Sequence, residues 1–104
     1  MLQIQTIIGR AEQGITSPFI CMAENSLEYF VKGLHATRAS QINEWIGGNM
    51  AQALSLPVAP FDLLEVGEEL YEELPARIKE IGKGICFGSQ TQKGYALLEP
   101  ADIP

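Results

Sequence analysis

Glu28-Tyr-Phe-Val-Lys32, then Ala39-Ser-Gln-Ile-Asn-Glu-Trp-Ile-Gly-Gly-Asn-Met-Ala-Gln-Ala-Leu-Ser55: between these two runs the chain changes period, and the change decides the fold. The first run is rich in β-forming residues and reads as a strand. In the second, Ile42, Trp45, Ile46, Asn49, Met50, Ala53 and Leu54 recur at helical spacing, and Asn49 alone interrupts the apolar stripe. The spacing predicts a helix from about Ala39 to Ser55, with Thr37 or Ser40 as its N-cap. It ends before Leu56-Pro57, because proline cannot continue the ladder and disfavours helical geometry in the residue before it. Gly47-Gly48 inside it costs about 1 kcal/mol each relative to alanine. Either something packs very close to that face or the helix bends.

Outward from this core, Leu2 to Ile8 alternates and reads as a half-buried strand ended by Gly9. Gln13 to Pro18 is turn-rich, Phe19 to Met22 is a second strand, and Ala23 to Ser26 supplies turn chemistry. Three strands so close in sequence form an antiparallel meander most economically. Downstream, Pro60 to Val66 reads as a fourth strand. Glu68 to Ile81 is acidic and amphipathic, interrupted at Pro75. Ile85 to Ser89 and Tyr95 to Leu98 read as two more short strands. The expectation is an α+β domain over residues 1–98, an antiparallel sheet of about five strands with one main helix, and a linker-like tail over residues 99–104.

Composition bounds the function. The chain has 104 residues, 46% of them hydrophobic, enough for one domain with a modest core. A net charge of -6 repels phosphate backbones, which argues against nucleic acid and anionic membranes as partners. No apolar run is long enough to span a bilayer, and Met1 to Gly9 lacks a signal-peptide pattern, so the cytoplasm is the expected compartment. Cys21 and Cys86 sit in apolar stretches without metal-ligand spacing and read as buried thiols. His35 is the single histidine. A metal centre or a Cys–His or Ser–His pair has little to draw on.

Three features occur in a telling order. A glycine-containing turn at Gly14 lies between two strands, Lys32 ends the third strand, and Glu44 lies on the following helix. Kinases use this order: a loop over the phosphates, a lysine on them, and a helix glutamate that holds the lysine. At about 100° per residue, Glu44 falls well off the apolar stripe, on a side shared with Gly48, Ala51 and Ser55. A small-residue face carrying one carboxylate suits a helix that borders a cleft.

Gly14-Ile-Thr-Ser-Pro-Phe19, Tyr29-Phe-Val-Lys32, Gln41-Ile-Asn-Glu44-Trp-Ile, Ala53-Leu-Ser-Leu-Pro-Val58 and Gly84-Ile-Cys-Phe-Gly-Ser89 together resemble the N-terminal, nucleotide-binding lobe of HipA-like kinases. The resemblance runs from about Gly14 to Ser89. It implies a kinase N-lobe fold and ATP with Mg as cofactor, held weakly by one lobe alone. It implies Lys32 on the nucleotide phosphates, Glu44 paired with Lys32, and Gly14, Thr16 and Ser17 in the turn over the phosphates. It further implies that Thr16 and Ser17 are candidates for autophosphorylation. The chain departs from the family pattern at Ser55, where glycine is usual, and at Ala59, where proline is usual.

The family's second lobe brings an aspartate base, an asparagine and a metal-binding aspartate. After Ser89 this sequence offers only Asp102, and no asparagine follows Asn49. The expectation is a lobe that cannot transfer a phosphoryl group alone and that works with a kinase C-lobe or regulates a kinase partner. The alternative is a non-enzymatic α+β interaction domain in which Lys32 and Glu44 form an ordinary surface pair. The acidic run Glu65 to Glu73 reads as a solvated surface.

Overall fold

The computed structural model describes residues 1–11 and 17–91. Its strands are β1 (Leu2–Arg10), β2 (Phe19–Ala23), β3 (Glu28–Lys32), β4 (Phe61–Val66) and β5 (Gly84–Gln90). Helix α1 (Arg38–Ala53) lies between β3 and β4, and the short α2 (Glu68–Glu73) follows β4. Two 3₁₀ turns, Leu34–Ala36 and Lys79–Ile81, precede α1 and β5. The fourth strand and the Ile85–Ser89 strand appear within a residue or two of their expected bounds. Only Glu68–Glu73 of the acidic Glu68–Ile81 stretch is α-helical; Leu74, ahead of Pro75, is already extended. The expected strand at Tyr95–Leu98 and the tail lie outside the described residues.

One expectation is overturned. The strands do not form the open sheet of a kinase N-lobe; they close into a barrel in the order β1-β2-β3-β5-β4. The meander β1-β2-β3 is antiparallel as its short connections require. Closure comes from a parallel seam, Leu2 against Leu64 and Gln3 against Glu65. The Gln3 amide bonds to Glu65 Oε1 across it at 2.5 Å. Two register shifts between β1 and β2, at Ile4/Thr6 and Ile7/Gly9, supply the extra twist that bends β1 back onto β4. Alternation read strand by strand carries no information on a pairing between such distant segments.

Inside the barrel sit Ile4, Phe19, Cys21, Ala23, Tyr29, Val31, Leu64, Val66 and Cys86, capped by Ile81. Both thiols are free and buried, as their apolar settings predict. Burial pushes their pKa upward, to about 12 for Cys86. Helix α1 lies on the outside, over β4 and β5. Thr37 is its N-cap, its Oγ1 accepting from Ser40 N at 3.2 Å. At the other end Leu56 N donates to Ala51 O and Ser55 N to Gln52 O, a Schellman closure. Ser55 takes the left-handed position of that motif at φ 58°, where glycine fits without strain.

Candidate functional site

Lys32 is the last residue of β3. Strand alternation turns Tyr29 and Val31 into the barrel and Lys32 outward, to the side that α1 covers. Opposite Lys32 on β5 is Phe87, which stacks on Phe61 of β4 at 5.7 Å between ring centroids. Trp45 of α1 meets Phe61 edge-on at 5.6 Å. A Cβ on Gly48 would lie 2.5 Å from the Phe61 ring, so glycine is what lets the helix settle this low. The close neighbour predicted for the Gly47-Gly48 face is thus Phe61.

At that height Glu44 reaches Lys32. The Lys32 ammonium donates to Glu44 Oε1 at 2.6 Å. The two side chains are 20% and 6% exposed, so this is a largely buried pair and not a solvated edge contact. Its charge-assisted bond is short, as such bonds are. An ammonium has three donor hydrogens, and one is committed to Glu44. The others can serve a second anion without breaking the pair. The carboxylate side of α1 does not border an open cleft, as its small residues suggest in sequence. Gln41, Glu44, Gly48 and Ala51 form the face packed on the barrel.

Arg10 at the end of β1, Phe19 at the start of β2 and Lys32 at the end of β3 lie at one end of the barrel. The registers Arg10–Phe19 and Phe19–Val31 require it. Ser17 is at this end, at φ 43°, its carbonyl accepting from Arg10 Nε at 2.9 Å. Ala11 N donates to Pro18 O at 2.9 Å and closes the base of the β1–β2 connection. Gly14 and Thr16 fall outside the described residues. The fold therefore gathers Ser17, Lys32 and Glu44 from the candidate set at one end.

Two polar residues near this end carry no signal in the sequence. Gln41 accepts from Arg38 Nη1 at 2.8 Å, while its Nε2 is buried without a partner. Arg38 Nη1 also donates to Ile85 O at 3.1 Å, tying α1 to β5. His35, in the turn before α1, has both ring nitrogens buried and unpartnered and meets the Phe19 ring edge-on at 4.8 Å. Burial pushes the His35 pKa below its usual 6.5; nearby Arg10 adds to this, Glu80 opposes it, and Lys32 adds a smaller push. The imidazole is neutral and gives up a hydrogen bond to be there.

Among the described residues no three His, Cys, Asp or Glu side chains gather where they could hold a metal. The described residues offer no ligand set for a magnesium ion. No helix among them is long and apolar enough to cross a membrane. No curated protein and no solved structure matches the chain. The family model described as HipA-like kinase matches residues 4–104, essentially the whole length, and the chain belongs to that family.

Proposed function

We propose that this chain is the nucleotide-binding lobe of a HipA-like serine/threonine kinase, incomplete for phosphoryl transfer alone. It works as part of a split or truncated kinase, or as a regulator of a kinase partner. Lys32 contacts the phosphates of ATP, Glu44 holds Lys32, and the turn bearing Gly14, Thr16 and Ser17 lies over the phosphates. Magnesium, which neutralises charge developing on the phosphates when bound, would take its ligands from a second lobe. The observation that carries this reading is the 2.6 Å Lys32–Glu44 bond, beneath α1 in a chain of this family. A lysine already held by its glutamate costs less to order when nucleotide arrives.

Titration calorimetry with ATP–Mg tests it, with circular dichroism as the control for folding. The chain binds in the range of about 1 mM, roughly -4 kcal/mol. Lys32→Ala abolishes the binding without unfolding the domain. Lys32→Ala with Glu44→Gln, which removes the stranded carboxylate charge, is also silent. Equal binding by the parent and both variants rejects the site. The chain alone incorporates no labelled phosphate; incorporation that survives stringent purification rejects the claim of incompleteness. A non-enzymatic interaction domain is the second reading, favoured by the exposed apolar side of α1.

A further inference from the structure

The ring of Phe19, at the end of the barrel that carries Lys32, is covered by a guanidinium. The central carbon of Arg10 lies 4.7 Å from the ring centroid, and His35 meets the same ring edge-on. From this position Arg10 makes two further contacts. Its Nε donates to Ser17 O at 2.9 Å, and its Nη1 pairs with Glu80 Oε1. One planar group thus joins the exit of the β1–β2 connection to the 3₁₀ turn that precedes β5. A fixed fork of donors can do both at once; a lysine ammonium, a point charge on a flexible stem, cannot.

Stability alone does not account for this clasp. The side chains of Arg10 and Glu80 are 41% and 45% exposed, and ion pairs this open add little to folding. What the clasp holds is an unfavourable backbone. Ser17 is not glycine, yet its φ is 43°, in the left-handed region. Such a conformation persists where its surroundings over-determine it, and positions of this kind gather at ligand clamps. The bond from Ala11 N to Pro18 O fixes the residue that follows.

The far end of the clasp leads to Lys32. Glu80 is followed by Ile81, whose carbonyl lies so near Gly33 that a Cβ there would collide with it. Gly33 is the residue after Lys32. Leu34 in turn lies so near Gly82 that a Cβ on that glycine would collide with its side chain. The two 3₁₀ turns are locked together by these approaches. Glu80 is therefore carried by the same strut that supports the end of β3, and Arg10 ties the Ser17 backbone to it.

We propose that Arg10 is a positioning residue: clasped by Glu80, it fixes the Ser17 backbone relative to Lys32. This rests on the reading that Lys32 and the β1–β2 connection meet nucleotide phosphates. Arg10 itself does not touch them, because its guanidinium is committed to Phe19, Ser17 and Glu80. Glu80 separates this role from a simple effect of charge. A carboxylate that merely stands near an anion site repels phosphates, so its removal tightens binding. A carboxylate that anchors the clasp is needed, so its removal weakens binding.

NMR titration of the full chain with ATP–Mg, followed at the amides of β3 and α1, tests this, with thermal melting by circular dichroism as the folding control. Glu80→Ala and Arg10→Gln each weaken binding about tenfold at an unchanged melting temperature, because the turn must then be ordered by the ligand. Arg10→Lys keeps the charge without the fork and binds as weakly as Arg10→Gln. Without nucleotide, the Ala11 amide exchanges with solvent faster in all three variants, whereas the amides that join β3 to β5 do not. Tighter binding by Glu80→Ala, or recovery by Arg10→Lys, overturns the inference and makes Arg10 a plain charge on the phosphates. Parental affinity in all three variants, with Lys32→Ala silent, overturns it and leaves the nucleotide site standing. No binding by the parent chain overturns both.

Discussion

The two faces of α1 invert the usual helix. The inner face, against the barrel, carries Gln41, Glu44, Gly48 and Ala51: one amide, one carboxylate and two very small residues. The outer face carries Ile42, Ile46, Met50 and Leu54. An amphipathic helix ordinarily buries its apolar stripe. Here the aromatic group Trp45–Phe61–Phe87 anchors the helix at one edge, and the small residues let it sit close. That closeness is what a 2.6 Å bond from a strand lysine to a helix carboxylate demands. A layer of leucines would hold the helix further from its support and leave Glu44 short of Lys32. The difference teaches that the inner face is built for reach and not for apolar burial.

The contrast can be broken most severely at Gly48. Gly48→Val drives branched carbons into the Phe61 ring and costs about 3 kcal/mol, read as a fall in melting temperature of about 4–8 °C per kcal/mol. It also separates Lys32 from Glu44, so nucleotide binding falls with it. A valine variant as stable as the parent would mean that α1 does not rest on Phe61. Next comes Lys32→Ala, which strands a nearly buried carboxylate and costs about 2 kcal/mol, partly screened by the 20% exposure of the lysine side chain. Adding Glu44→Gln recovers most of that loss in denaturant titration; no recovery would show that the pair is not the source.

A third test moves to the turn that leads into α1. The unfolded chain takes up a proton at His35 near pH 6.5, whereas the folded chain resists it. Histidine's contribution to stability is thus complete above that pH and declines as pH falls through it, since the unfolded state binds more protons. His35→Phe keeps the edge contact to Phe19, removes two unpartnered nitrogens and flattens the profile between about pH 7 and 5. It gains about 1 kcal/mol at the acid end. An unchanged slope would place the sensitivity elsewhere. The smallest effect is at the helix exit, where Ser55→Gly relieves the left-handed backbone and raises stability by about 0.5–1 kcal/mol. A loss there would mean that the serine side chain has a role of its own.

Much of this arrangement is legible in residues read locally. The change from period two to the helical period places β3 and α1. Pro57 places the helix exit, and Gly48 announces a close neighbour. Lys32 and Glu44 are legible as a pair because a lysine ends one strand and a glutamate lies on the helix that follows, in a meaningful order. What escapes local reading depends on distant contacts. The Leu2–Leu64 seam that closes the barrel joins residues with nothing between them to signal it. Periodicity shows that α1 has two faces but not which one is turned inward, because that depends on Phe61. Gln41 and His35 look like surface residues until the fold buries them.

Barrel closure leaves one more consequence. An open sheet edge offers its main-chain amides and carbonyls as a template, and peptides can dock by adding a strand. β2, β3 and β5 are each flanked on both sides, whereas β1 and β4 meet through just two pairs, Leu2–Leu64 and Gln3–Glu65. Anything that recognises this chain along β2, β3 or β5 must read side chains. A generic extended segment finds a foothold only along the short β1–β4 join.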